Sequence, residues 1–132
     1  MIVVDSSAPI AIPEREEDAI VLAAAIERAV RLFISAVNVH ETGVALFARH
    51  GSAAVDRLWR FLLLDDDFDI VAFDEDQVRA ALDALETYGK GVHPRARLNL
   101  ADCCAYALAR RLGLPLLFKG AAVSETGIAR CL

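Results

Sequence analysis

Cysteine is scarce in this chain of 132 residues, and the three present, Cys103, Cys104 and Cys131, form no CxxC pair. An odd number without that spacing excludes a disulfide framework and a zinc knuckle, so a reducing cytoplasm is the expected location. Basic charge is also short: 14 Lys and Arg stand against 19 Asp and Glu, a net charge of −5. That balance argues against a broad, sequence-independent grip on DNA or RNA, but not against a site that holds nucleic acid locally. No apolar run, "AIVLAAAI" at 19–26 included, approaches the roughly 20 residues that a membrane-crossing helix requires. The opening MIVVD carries no basic segment and meets an acid at Asp5, so neither an export signal nor a membrane partner is expected. Repeats, low-complexity tracts and linkers are missing too, and the length suits a single domain over 1–132.

Apolar side chains, by contrast, are plentiful. They make up 56% of the sequence, above the roughly 45–50% of an ordinary globular domain. A small domain this apolar is expected to leave a face for a second copy or another partner. The runs "IVV" (2–4), "LFIS" (32–35), "FDIVAF" (68–73) and "PLLF" (115–118) read as strands. Between them, helical periods cover 14–30, 38–49, 53–64, 74–88 and 99–112, with Gly51, Gly89 and Gly113 as stops. Short apolar strands separated by helices imply an α/β fold: a three-layer α/β/α domain with a short, mainly parallel central sheet.

In such a sheet, chemistry gathers beyond the carboxyl ends of the strands. That rule selects Asp5 after the first strand, the stretch from Ser35 to Glu41 after the second, Asp74 after the third, and the residues following Phe118. Each acid has an ordinary structural reading beside the functional one. Asp5, in "VVDSSA", suits a helix cap. Glu41 in "NVHE" and Asp102 in "NLAD" both match a capping box, in which the acid reaches back to the cap amide. His40-Glu41 lacks the second histidine of a zinc protease, since residue 44 is Val44. Together, however, three carboxylates converging at helix amino ends repel one another. The helix ends relieve only about 0.3–1 kcal/mol each, whereas a hard dication such as Mg²⁺ needs two or three such oxygens and some water.

The loop "YGKGVHPRARLN" (88–99) adds Lys90, His93, Arg95 and Arg97 just before the Asp102 helix, and Lys119 follows the fourth strand. Positive charge beside an acidic notch is what a phosphodiester requires. "DDD" (65–67) reads as a solvated loop, and Cys103 and Cys104 as packed helix residues. Trp59, Tyr106 and Phe118 read as core or partner surface, and His50 and His93 have no partners at ligand spacing. A phosphoacceptor receiver domain also gathers acids at a sheet edge, but Asp5-Ser6 lacks its acidic pair.

Blocks taken in order carry a resemblance: "MIVVDSSA…IA", "ISAVN…E", "YGKG.HP…LN.ADC.AYALA..LGLPLLFKG" and their spacing resemble the PIN-domain ribonucleases of the VapC toxin type over nearly the whole chain. The resemblance implies a Mg²⁺-dependent endoribonuclease, with Mn²⁺ as a substitute, that is the toxin of a toxin–antitoxin pair. It maps the family's metal-binding, catalytic acids onto Asp5, Glu41 and Asp102, and a supporting hydroxyl onto Ser6. Lys90, Arg95 and Lys119 are then candidates for holding the RNA backbone. A homodimer and a VapB-like antitoxin, whose helical tail covers an apolar groove, are the implied partners.

The chain departs from the family pattern after "LLFKG", where an acid is usual and Ala121 and Ala122 stand instead; Gly127 likewise occupies a position where an acid is frequent. Pro9 replaces a larger apolar residue, which a first helical turn tolerates. With the fourth carboxylate missing, cation affinity and cleavage are expected to be reduced, the second metal of a two-metal site most of all. A binding module that sequesters antitoxin or RNA without cutting is the competing reading. Ala121→Asp or Ala122→Asp is expected to raise metal-dependent RNA cleavage, and no change in either variant removes this account of the gap.

Overall fold

The computed structural model describes residues 1–120 and 122–131. Strand β1 (Ile2–Val4) leads through helices α1 (Ser7–Ala11) and α2 (Ala19–Arg28) to β2 (Leu32–Ser35). Helices α3 (Ala36–His50) and α4 (Ser52–Arg60), with a wider π turn at Phe61–Asp65, lead to β3 (Asp69–Val71). Helices α5 (Glu75–Tyr88) and α6 (Leu100–Leu112) precede β4 (Leu116–Leu117), and a 3₁₀ turn at Ala122–Thr126 follows. The strands form one sheet in the order β3-β2-β1-β4. Every pairing is parallel: Ile2 lies opposite Leu32, Ile34 opposite Ile70, and Val4 opposite Leu117.

The alternation of side chains along a strand builds the two outer layers. Ile2, Val4, Leu32, Ile34 and Leu117 face one side, where they pack with Leu22 and Ile26 of α2, Leu46 of α3 and Leu58 of α4. Val3 and Leu116 face the other, against Ala81 and Ala84 of α5 and the apolar length of α6 from Cys103 to Ala109. The expected three-layer α/β/α fold with a parallel sheet is therefore the fold observed. The adjacent Cys103 and Cys104 are both buried in it as packed helix residues.

Several element boundaries move, each for a local reason. The helix expected over 14–30 begins only at Ala19, because Arg15 holds a left-handed conformation at φ 53. At its far end Ala29 turns extended at ψ 135. The third strand stops at Val71, because the Asp74 carboxylate caps α5 by accepting from the Gln77 amide at 3.0 Å. The second crossover helix starts at Ala36 instead of Asn38, since the Ser35 hydroxyl accepts from the Val37 amide at 3.3 Å.

Gly89 marks where α5 gives way to the basic loop. A Cβ there would lie 2.4 Å from the Leu85 carbonyl oxygen, the oxygen that accepts the Gly89 amide at 2.9 Å. The adjoining loop is pinned on both sides, with Leu98 N–H donating to Tyr88 O at 2.9 Å and Lys90 N–H to Leu98 O at 3.0 Å. Gly89→Ala is expected to cost about 1–3 kcal/mol, the usual penalty for forcing atoms into filled space, as read from the urea midpoint. A midpoint equal to wild type would show that the loop has slack.

Candidate active site

The strand order sets the location. From β1 the chain steps to β2 and β3 on one side, and β4 is added on the other, so the switch in direction falls between β1 and β4. Ligands of open α/β sheets bind outside the carboxyl ends at such a point. Asp5 is the first residue past β1, and its amide continues the ladder by donating to Leu117 O of β4 at 3.0 Å. Its side chain is turned inward, with the residue only 6% exposed. Oδ1 accepts from the Ser7 amide at 2.8 Å. Burial above all, with the negative charges of Asp102 and Glu41 adding to it and the Ser7 bond opposing, pushes this carboxyl up to about 7.

Asp102 reaches the same notch from α6. It closes a complete capping box: Asp102 N–H donates to Asn99 Oδ1 at 2.8 Å, and Asn99 N–H donates to Asp102 Oδ2 at 2.9 Å. That staple fixes the carboxylate at the helix start and uses one of its oxygens. Its affinity for a proton is raised, chiefly by burial, with Glu41 adding to the effect and the Asn99 amide opposing it.

Glu41 differs from both, and here the capping-box reading fails. Because α3 starts at Ala36, Asn38 lies inside the helix and Glu41 in its second turn. Glu41 caps nothing, yet its charge acts on both Asp5 and Asp102. The three acids named from the sequence thus act electrostatically on one another. Among the described residues no three His, Cys, Asp or Glu side chains stand ready-made as a metal cage. The donors are nonetheless hard carboxylate oxygens whose mutual repulsion a divalent cation relieves, and that set suits Mg²⁺ or Mn²⁺ over softer metals.

Ser6 lies directly behind Asp5 and is 2% exposed. Its hydroxyl donates to the Asn38 carbonyl at 3.3 Å and accepts from Asn38 Nδ2 at 2.8 Å. Asn38 is the residue that sequence reasoning missed. It is fully buried, and Nδ2 also donates to Ala101 O at 3.2 Å. The available signal was an amide placed inside an apolar helical period, which the mistaken cap assignment had already explained away.

The basic residues are arranged less tightly. Lys90 and Arg95 are exposed on the loop between α5 and α6. That loop is stapled internally by His93, whose Nδ1 accepts from the Arg95 and Ala96 amides at 3.1 and 2.9 Å. The Lys119 amide donates to Ser7 Oγ at 2.8 Å, which ties the end of β4 to the start of α1. Its ammonium is paired with Glu16 at 2.7 Å. Ala121 and the Ala122 side chain, where the fourth acid is missing, lie outside the described residues. Asp74 is committed to capping and to Arg111 at 3.5 Å, away from a phosphoacceptor role.

Residues 2–128 match the family model of the PIN domain, and the chain belongs to that family. Within it, the chain is placed among the VapC ribonucleases by its curated relatives. It is 41% identical over 126 residues to Ribonuclease VapC42 of Mycobacterium tuberculosis, covering 96% of this chain and 95% of that one. Ribonuclease VapC of Mycolicibacterium smegmatis is 40% identical over 127 residues, covering 96% and 97%. Among solved structures, Mycobacterium tuberculosis VapC20, described as a Sarcin-Ricin loop cleaving toxin, superposes with a TM-score of 0.80 at 17% identity, over 98% of this chain and 97% of that one. FitAcB from Neisseria gonorrhoeae gives 0.71 at 20% identity, over 98% and 96%. At those identities the two structures establish the shared fold.

The raised proton affinity of Asp5 has a thermodynamic consequence. Its folded value of about 7 lies above the ordinary 3.8, so between those values the native state holds a proton that the unfolded chain has released. Stability of the metal-free protein therefore falls as pH rises through that window and stays low above it. Asp5→Asn removes the penalty. It is expected to raise metal-free unfolding stability at pH 8 by an amount of order a few kcal/mol, at about 1.4 kcal/mol per pKa unit, and to flatten the pH profile. A variant no more stable than wild type at pH 8 would contradict the buried, repelled state of this carboxylate.

Proposed function

We propose that the protein is a divalent-metal-dependent endoribonuclease and the toxin of a toxin–antitoxin pair. The observation that carries this reading is a buried Asp5 at the switch point of a parallel sheet, its proton affinity raised by burial and by Asp102 and Glu41. Membership of the VapC ribonucleases supports it independently.

In this reading Asp5 and Asp102 are the principal ligands, since each carboxylate is held by one backbone amide and offers its other oxygen. A bound Mg²⁺ or Mn²⁺ supplies positive charge for the scissile phosphate and for the attacking water. Glu41, uncommitted to a cap, either ligates the ion or orients the water and takes its proton. Ser6 keeps Asp5 in place through its bonds to α3. Lys90, Arg95 and Lys119 steer the RNA backbone, with Lys119 exchanging Glu16 for phosphate as the strand arrives.

The partner surface is apolar. Exposed Val44, Phe47 and Trp59 line a groove of about 430 Å³, and a second groove of about 300 Å³, lined by Ile12, Leu46 and Phe61, shares Leu58 of α4 with it. Such grooves suit the apolar face of an amphipathic helix, as a VapB-like antitoxin would present, and a homodimer would cover more of the same excess. No helix among the described residues is long and apolar enough to cross a membrane. The three cysteines are unpaired, in keeping with work in the cytoplasm.

Ala121 and Ala122 favour reduced activity, and in the limit a module that holds RNA or antitoxin without cutting. One assay separates these readings: RNA cleavage by partner-free protein across a Mg²⁺ and Mn²⁺ titration. Cleavage is expected with either ion. Asp5→Asn and Asp102→Asn are expected to fall to the metal-free background, and Glu41→Gln to lose about 100-fold or more. RNA retention without cleavage at any metal concentration would leave the binding module standing.

A further inference from the structure

Asn38 combines four hydrogen bonds with one conspicuous omission. Its amide nitrogen donates both to Ser6 Oγ at 2.8 Å and to Ala101 O at 3.2 Å. Its backbone carbonyl accepts the Ser6 hydroxyl at 3.3 Å and the Thr42 hydroxyl at 2.8 Å. These partners are chain neighbours of the acids: Ser6 follows Asp5, Ala101 precedes Asp102, and Glu41 lies three residues along Asn38's own helix. One buried amide therefore joins the three segments that deliver the carboxylates. The orientation of the amide is settled by Ala101 O, which can only accept, so nitrogen must face it.

The omission is at the other end. Among the described residues, Asn38 Oδ1 is buried with no hydrogen-bond partner. An unpaired buried acceptor costs about 1–3 kcal/mol, whereas an apolar side chain of similar volume carries no such penalty. Nor would an apolar replacement strand its neighbours. Ala101 O remains within α6, whose amides it can accept, and the Ser6 hydroxyl keeps the backbone carbonyl of residue 38. The amide is thus a poor choice for stability alone, and its cost falls at the junction of three mutually repelling segments.

We propose that Asn38 is a positioning residue, which holds Asp5, Asp102 and Glu41 at the mutual approach that a divalent cation requires. This rests on the nuclease reading for its use of metal, but the approach of the three segments is a property of the metal-free protein as well. Without the bridge, like charges drive the segments apart, and the notch becomes wider and less attractive to a cation. Asn38 touches neither substrate nor metal and acts through Ser6 and α6.

The test compares wild type with Asn38→Leu, and with Ser6→Ala as a milder cut of the same bridge. Mn²⁺ binding is read by electron paramagnetic resonance and calorimetry, and melting temperature is read without metal. Asn38→Leu is expected to weaken Mn²⁺ binding by about tenfold or more, in the range seen when groups supporting a metal ligand are removed, with a small change in melting temperature. Leu22→Ala, a fully buried change in α2 remote from the notch, should lower the melting temperature and leave Mn²⁺ affinity intact. A second, metal-free readout is the coupling between Asp5→Asn and Glu41→Gln in melting temperature. It is expected to shrink by half or more when Asn38 is Leu. Unchanged Mn²⁺ affinity and unchanged coupling would overturn the proposal and reduce Asn38 to packing. Failure of wild type to bind Mn²⁺ would instead sink the nuclease reading, and the coupling alone would then decide the role of Asn38.

Discussion

A carboxylate buried at the end of a parallel strand, within reach of two others, is the constraint that the rest of this structure serves. Desolvation is its largest cost, followed by repulsion from Asp102 and Glu41. Helix amino ends and single backbone amides return only a fraction of that. Two apolar layers packed on opposite faces of the sheet must therefore offset the rest. The distribution of buried polar side chains follows the same line. Ser35 closes β2, and Asp5, Ser6, Asn38, Thr42, Gln77 and Thr126 all follow the carboxyl end of the strand before them. Among the described residues the opposite end of the core holds no buried polar side chain.

The three acids share a notch but not an environment, and the differences assign them different latitude. Asp5 is held by a ladder amide, a carboxylate bond to Ser7, and burial on all sides. Asp102 is locked to its own helix by a reciprocal staple with Asn99. Glu41 projects from the second turn of α3 without a capping duty. Two acids are thus held by backbone amides and the third carries no capping bond, a division in keeping with the proposed roles of two ligands and one group that moves a proton. The capping box long offered as the ordinary alternative for Asp102 is real, and it does not compete with ligation, since it occupies only Oδ2.

Much of the frame was legible because its signals are local. The β-branched and leucine runs of β1, β2 and β4 mark strands buried on both faces. The glycine stop at Gly113 works as a left-handed cap at φ 66, and Asn99 with Asp102 forms the box that its spacing implies. Reading failed where two local rules competed. "NVHE" satisfies the capping pattern as well as "NLAD" does, but Ser35 stands upstream, and its hydroxyl starts the helix two residues before Asn38. The Asn38 bridge and the Lys119–Glu16 pair were not legible at all, since they join residues 63 and 103 positions apart. Periodicity and propensity say nothing about side chains at such a separation, whatever they say about the elements that bear them.

The electrostatics outside the notch complete the argument. With a net charge of −5 the chain repels a polyanion at long range, so the proposed hold on RNA depends on local cations within a Debye length of about 8–10 Å. The loop before α6 meets that need by rigidity more than by charge count. His93 accepts two amides of its own loop, its ring stacks near Tyr88 at 5.8 Å, and Tyr88 meets Tyr106 of α6 at the same distance. The loop is thereby fastened to the helix that carries Asp102, and its cations keep a fixed relation to that carboxylate. Lys119, held by Glu16 and with its amide bound to Ser7, lies on the opposite flank. The pair is half-buried and still in contact with solvent, so solvent screening keeps its worth modest. These cations are therefore anchored through their backbones and more loosely held at their tips, in keeping with the proposed seating of a phosphodiester beside the acids.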